Sequence, residues 1–467
     1  MKIKKMKLYL YILAVAFSSS GMLSSCDTSD DGENVRPSSN YEQYGTFFEN
    51  VPEPEDASIY QVNIRAFSEE GNLQGVLDRM DYIQSLGVNV VYLMPIYPVG
   101  EERSAGGLGS PYAIRDYKAV NPEFGNIEDL RAVVDATHER DMAVVLDFVA
   151  NHTAWDNAWI TEHPEYYQKD DNGDIIVPPD TGWNDVAQLD YDNDDLRAEM
   201  IDAMSYWIYN ANIDGFRMDA ADFVPDSFWT KANATLENIR GEEILMFAEG
   251  GRTNHLKNGF DYIFGFGLFD TMKEVFISGE PVTEIQQTNA EAYANVYDDS
   301  KRVVKYTTNH DVNLSDGTPL ELFGGKQGSL AAFVIAAYMK SVPMIYNGQA
   351  IGYDQRIEFF THNPIDWSSA DNEMLQEYKD IIALRNDSEA IRRGDLTSYS
   401  SDDVAVFKMA TEDASVLVLS NTRNQAKKYI LPAEFQGTSW ENALEGGSVP
   451  LDTEITLEPY SYLVLKN

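Results

Sequence analysis

The chain has 467 residues, with 76 Asp plus Glu against 35 Lys plus Arg and a formal net charge of −41. That balance excludes nucleic acid and anionic membrane surfaces as electrostatic partners and leaves a neutral polymer open. Hydrophobic residues at 43% are ordinary for a globular protein, and the length allows a large core and more than one domain.

The N-terminus starts with Lys2, Lys4, Lys5 and Lys7, continues with an apolar run over 8–17, and closes on Leu23-Ser24-Ser25-Cys26. The run is too short for a comfortable bilayer span and reads as a targeting segment. Residues 1–25 resemble a bacterial lipoprotein signal, which implies Cys26 as the lipidated first residue of the mature chain. Cys26 is also the only cysteine, so an intrachain disulfide is excluded. Residues 26–50 read as a flexible tether, beginning with the acidic stretch Asp27-Thr28-Ser29-Asp30-Asp31-Gly32-Glu33-Asn34. This stretch resembles the acidic export tag of Bacteroidota-type lipoproteins. The implied location is the outer membrane, on its periplasmic or cell-surface face, with membrane contact through the lipid anchor only.

Strand-like and helix-like segments alternate from Ser58 onward. Strands are predicted at 59–64, 88–94, 142–148, 213–218, 244–248, 262–264, 303–307 and 344–346. Amphipathic helices are predicted at 72–86, 127–140 and 196–210, the second with a capped acidic start at Asn126-Ile127-Glu128-Asp129. The alternation predicts a parallel (β/α)8 TIM barrel over 51–393. The gap at 152–195 is too long for a barrel connection and predicts an inserted subdomain after the third strand, with Asn172-Gly173 at a hairpin turn. Asp170, Asn172 and Asp174 also supply oxygens, but Gly173 falls too early for an EF-hand loop. From Gly394 the pattern changes to strands at 404–407, 415–419, 428–431 and 462–465 with no intervening helix. That predicts a C-terminal antiparallel β-sandwich over 394–467.

Four motifs place an acid or a histidine at the end of an apolar run: Asp147-Phe148-Val149-Ala150-Asn151-His152, Gly215-Phe216-Arg217-Met218-Asp219, Phe247-Ala248-Glu249-Gly250 and Tyr306-Thr307-Thr308-Asn309-His310-Asp311. Chemistry in a barrel of this kind sits at the C-terminal ends of the strands. Acids gathered there suit glycosidic bond cleavage, which sets two carboxyl groups across an oxocarbenium-like transition state. Arg217, two positions before Asp219, shares its side of the strand and would keep it ionised and aimed.

These motifs resemble the conserved regions of the α-amylase family of glycoside hydrolases. So do Ile59-Tyr60-Gln61-Val62-Asn63, Val91-Tyr92-Leu93-Met94-Pro95, Ser110-Pro111-Tyr112 and Pro343-Met344-Ile345-Tyr346-Asn347-Gly348-Gln349, and the resemblance spans roughly residues 58–467. It implies Asp219 as nucleophile, Glu249 as general acid/base and Asp311 as the acid that stabilises the transition state. It also implies Tyr112, His152, Arg217 and His310 as substrate-binding residues. Asn151 matches a calcium ligand of many relatives, so Ca2+ is the one metal raised, and no cofactor is implied as required. The chain departs from the family pattern twice. Asp222-Phe223 stands where relatives often carry Lys and a His ligand of the same calcium site, and Gly250-Gly251-Arg252 stands where many carry a bulky hydrophobic and then Trp. The implied activity is retaining hydrolysis of α-1,4-glucosidic bonds in starch, glycogen or maltooligosaccharides, with an α-glucan polysaccharide or oligosaccharide as partner. An α-glucosidase or glucan transferase on the same scaffold is the alternative, and a non-catalytic glucan-binding lipoprotein is a further one. The stretch Gly109-Ser110-Pro111-Tyr112-Ala113 favours an open cleft.

Overall fold

Short apolar strands buried on both faces must be covered inside and out, and a closed parallel barrel ringed by helices does so. A computed structural model describes residues 41–241 and 244–467; Cys26, the signal segment and the first part of the expected tether lie outside them. In chain order the strands are β1 (Ile59–Val62), β2 (Val90–Leu93), β3 (Ala143–Val149), β4 (His152–Ala154), β5 (Val186–Gln188), β6 (Gly215–Asp219), β7 (Leu245–Ala248), β8 (Tyr262–Phe264), β9 (Arg302–Lys305) and β10 (Val342–Tyr346). Eight of them close in the order β1-β10-β9-β8-β7-β6-β3-β2, each neighbouring pair parallel. All eight predicted strands are present.

Register fixes which residues reach the catalytic end. Val149 pairs with Asp219 and Met218 with Ala248, so β3, β6 and β7 finish nearly level. Gly215 permits this, because a Cβ there would come within 2.0 Å of the Leu245 carbonyl oxygen. The helix Ile127–His138 starts in a capping box, with Asn126 and Asp129 bonding each other's backbone amides, as the sequence predicts. Asn193 caps the helix Asp194–Ala211, which ends at Asn212 in the left-handed conformation.

The insert leaves the barrel after β3. β4 and β5 pair antiparallel, with His152 opposite Gln188. The predicted hairpin turn is present: Gly173 has φ 87°, the Asp170 amide donates to the Asp174 carbonyl at 2.9 Å, and Lys169 bridges Ile175.

The C-terminal strands are β11 (Asp395–Ser398), β12 (Val404–Ala410), β13 (Ser415–Asn421), β14 (Lys427–Ile430), β15 (Thr438–Asn442), β16 (Ser448–Leu451), β17 (Glu454–Leu457) and β18 (Tyr462–Lys466). Six form one sheet in the order β11-β12-β13-β18-β15-β16, and β14 pairs with β17. The large sheet is apolar on both faces. Val404, Val406, Leu417 and Leu419 join Tyr429 and Trp440 in the sandwich core. The alternating Ala405, Phe407, Met409, Val416 and Val418 join the barrel core instead. This double burial explains why β12 and β13 read as continuous apolar runs.

The tether ends earlier than residue 50. Tyr41 packs edge-on against Tyr206 at 5.4 Å and donates to Asp202 at 2.6 Å; Tyr44 donates to Asp135 at 2.7 Å. Phe47 and Phe48 lie half-buried against the barrel core. Apolar burial of these four rings holds residues 41–50 on the barrel surface.

Candidate active site

The centre of the site is one guanidinium. Arg217 is buried on β6, and its Nη1 donates to Asp147 Oδ1 at 2.8 Å and to Asp219 Oδ1 at 2.9 Å. Its Nη2 contacts Glu249 Oε1. The rings of Tyr92, Tyr112 and Phe264 surround it at 5.8–6.0 Å. Three carboxyl groups thus face one positive charge in a region of low dielectric. Burial pushes Glu249 well above the usual carboxylate range, and the charges of Asp219 and Asp311 add to that against the opposing Arg217. Burial also raises Asp219, opposed first by Arg217. One proton shared between them relieves both.

The turns after β6 and β7 lock these two acids together. Ala220, directly after Asp219, has φ 47°, a strained conformation for alanine. It aims the Ala220 amide at Glu249 Oε2, 2.8 Å away, while the Ala221 amide donates to the Glu249 carbonyl at 3.0 Å.

Asp311 lies at the start of the helix His310–Ser315, where the Asn309 side chain accepts from the amides of Asp311 and Val312. It lines the cavity with its carboxylate half exposed. His310 beside it is buried between Gln61 Nε2 at 2.8 Å and the Tyr112 hydroxyl at 2.6 Å, and the Tyr112 and His310 rings stack at 5.4 Å. The Tyr112 hydroxyl also donates to Asp147 Oδ2 at 3.0 Å. His152 is buried at the start of the insert, its carbonyl accepting from Tyr117 at 2.9 Å. Burial holds His152 down to about 4 and lowers His310 against the opposing charge of Asp311, so both imidazoles are neutral at pH 7. All three acids, Tyr112, His152 and His310 therefore face one cavity of about 390 Å³, with Arg217 beneath them.

Asn151 behaves differently. It is fully buried, its Oδ1 accepts from Gln188 Nε2 at 3.1 Å, and its Nδ2 donates to Gln188 Oε1 at 3.4 Å. The oxygen that a hard cation would need is thus taken by an amide. Phe223 brings no ligand atom, and Asp222 is held by Arg252 at 2.9 Å and His255 at 2.7 Å. Among the described residues no group of three or more His, Cys, Asp or Glu is placed to hold a metal. The residues around Asn151 do not fit the calcium site that the resemblance raised, because a mutual amide pair occupies the position.

The other departure has a local cause. A Cβ on Gly250 would lie 2.5 Å from Asp222 Oδ1 and 2.9 Å from His255 Nε2. The Asp222–His255 pair leaves no room for the bulky residue found in many relatives.

Several site residues carried no assigned role in the sequence. Asp147 anchors the floor, accepting from Arg217, Tyr92 and Tyr112; its signal was an acid inside the otherwise apolar run of β3. Trp183 and Asp185 from the insert, and Phe359 and Phe360 from the loop after β10, line the same cavity.

The comparisons agree with this geometry. A family model described as "Alpha amylase, catalytic domain" matches residues 27–182 and 179–393. Alpha-amylase 2 of Dictyoglomus thermophilum is 27% identical over 466 residues, covering 89% of this chain and 79% of that one. Neopullulanase 2 of Thermoactinomyces vulgaris is 24% identical over 433 residues, covering 85% and 71%. The crystal structure of an alpha-amylase from Lactobacillus plantarum superposes with a TM-score of 0.81 at 25% identity, covering 89% of this chain and 99% of that one. With a buried Arg217 gathering three barrel acids beneath a sugar-sized cavity, the chain belongs to the alpha-amylase family and is a glycoside hydrolase acting on α-glucans.

Proposed function

We propose that the protein hydrolyses α-1,4-glucosidic bonds in starch, glycogen or maltooligosaccharides with retention of configuration. The observation that carries this reading is that Asp219 and Glu249 bond the same guanidinium. Gathering both acids on one charge supports the close pairing of about 5–5.5 Å that a retaining enzyme needs. Asp219 attacks the anomeric carbon while Glu249 delivers its proton to the departing glycosidic oxygen, giving a glycosyl ester on Asp219. Glu249, now ionised, takes a proton from water, and that water displaces Asp219 to release an α-configured product. Asp311 and the neutral His152 and His310 hydrogen-bond hydroxyls of the reacting sugar, and Tyr112, fixed by Asp147 and His310, stacks on its ring.

The test is product analysis. Thin-layer chromatography of digests of starch, pullulan and maltoheptaose reports bond and chain-length preference, and proton NMR before mutarotation reports the anomer. Maltooligosaccharides carrying a new α-anomer are expected; a β-anomer overturns the reading.

The N-terminal signal supports a second part of the reading, that Cys26 carries a lipid anchor and tethers the enzyme at the outer membrane. Cys26→Ala is expected to move the exported protein from the membrane to the soluble fraction. Unchanged fractionation overturns this part.

A further inference from the structure

Asp222 and Glu249 stand on neighbouring turns, and each turn donates to the other's acid. From the turn after β6, the Ala220 amide reaches Glu249 Oε2 at 2.8 Å and the Ala221 amide reaches the Glu249 carbonyl at 3.0 Å. From the turn after β7, three N–H groups converge on Asp222. The Gly251 amide donates to its Oδ2 at 3.2 Å, and Arg252 Nε and His255 Nε2 reach its Oδ1 at 2.9 and 2.7 Å. Burial raises the Asp222 carboxyl, but the bonds from His255, Arg252 and Gly251 outweigh it and pull the group down to about 2. An ionised carboxylate only accepts, so His255 Nε2 is the donor.

The turn after Glu249 needs this support. Gly250-Gly251 follows the acid directly, and paired glycines leave the backbone unusually free. A Cβ on Gly251 would meet nothing within 4 Å, so side-chain packing does not fix that residue. Polar contacts fix it instead. The Phe264 amide donates to the Gly250 carbonyl at 3.1 Å, and Asp222 takes the Gly251 amide. His255 anchors Asp222 in turn, being fully buried and edge-on to Phe260 at 5.4 Å. The two departures from the family pattern, at Asp222 and at Gly250-Gly251-Arg252, are thus the two halves of one contact.

Resting on the hydrolase reading above, we infer that Asp222 is a positioning residue for the acid/base: it clasps the Gly250-Gly251 turn to the turn after β6 and so holds the Glu249 carboxyl on the Ala220 amide. Asp222 is not among the residues that line the catalytic cavity, so it acts through Glu249. Its loss frees the turn, and proton transfer by Glu249 suffers while attack by Asp219 does not.

The test compares two substrates of nearly the same shape whose leaving groups need different help. Phenyl α-maltoside needs a proton to depart; 4-nitrophenyl α-maltoside needs little. In Asp222→Ala the ratio of kcat/KM on the phenyl to that on the 4-nitrophenyl substrate should fall about thirtyfold, part of the roughly 10²–10⁴-fold that a general acid supplies. Asp222→Asn keeps the shape of a side chain that is 37% exposed, and so keeps the fold. It should lower the ratio about fivefold, because an NH2 group replaces one of two accepting oxygens. Azide attacks the glycosyl-enzyme without a base, so it should raise the turnover of Asp222→Ala on the 4-nitrophenyl substrate and leave wild type unchanged, with α-maltosyl azide as product. Equal losses on both substrates, or ratios within about twofold of wild type in both variants, overturn the positioning role while leaving the hydrolase reading intact. Wild-type protein that cleaves neither these substrates nor starch overturns the hydrolase reading and the positioning role with it.

Discussion

The two walls of the catalytic cavity are built on opposite plans. On the side of the attacked sugar, Asp147, Arg217, Tyr112, His310 and Gln61 form a closed, buried hydrogen-bonded chain. Beside the cavity, Trp183 and Phe223 keep their side chains partly in solvent, with ring centroids 5.9 Å apart. A rigid polar network fixes charges before the reaction and incurs no reorganisation during it. An exposed aromatic pair holds no such network. The buried network and the exposed rings therefore differ in how firmly their side chains are fixed.

The sharpest way to break this division is to damage the chemistry alone. Asp219→Asn keeps shape and hydrogen-bonding size but removes the nucleophile. It should lower kcat on starch by roughly 10⁴-fold or more, with melting temperature close to wild type by calorimetry. Glu249→Gln should do likewise on starch. It should retain part of its activity on an activated aryl α-glycoside, whose leaving group needs little protonation. Near-normal starch hydrolysis by Asp219→Asn would remove the polar wall from the mechanism.

Asp147→Asn tests whether the network matters beyond the reacting acids. Asparagine presents an NH2 group toward donors that Asp147 now accepts from, namely Arg217 at 2.8 Å and Tyr92 at 2.6 Å. A loss of about 10²–10³-fold in kcat is expected from misplaced Arg217 and Tyr112. Stability should fall by about 1–3 kcal/mol for the buried groups left unpaired, read by urea denaturation. A stability loss with kcat unchanged would make Asp147 a structural anchor only.

The polar wall should also cost stability at neutral pH, and the sign follows from the raised Glu249. Unfolded, its carboxyl titrates near 4.3; folded, it titrates well above the ordinary value. Between those two pH values the folded protein binds more protons than the unfolded chain, so stability falls as pH rises through the window. Glu249→Gln removes this term. The variant should melt above wild type by about 2 °C at pH 8 and match it at pH 4. A variant that melts below wild type at pH 8 would show that the Arg217 contact outweighs burial.

The same division separates what the sequence made legible from what it did not. The barrel strands were readable because burial on both faces leaves unbroken apolar runs, as in β3, and the acids stood out at their ends. Asp147 was visible in its motif without a role, because sequence spacing does not reveal that three donors converge on it. Trp183, Asp185, Phe359 and Phe360 lie on irregular loops with no periodicity, so only the fold brings them to the cavity. Acidic composition marks the start of the expected tether but sets no end at residue 50. The cluster Tyr41, Tyr44, Phe47 and Phe48 was the available signal that residues 41–50 pack on the barrel.

The smallest expected effect concerns the metal that the family resemblance raised. The insert that carries Trp183 is joined to the barrel through β4 and β5, where Asn151 and Gln188 bond amide to amide and Gln188 Nε2 also donates to the Asn151 and Leu189 carbonyls. Both side chains are buried, so the junction has its polar groups satisfied by protein atoms. Stripping divalent cations with EDTA should therefore shift the melting temperature by no more than about 1 °C. Gln188→Ala should shift it more, because it strands the Asn151 amide in a dry interior at about 1–3 kcal/mol. A large EDTA effect reversed by added calcium would place a cation at the junction and displace the amide pair as its fastener.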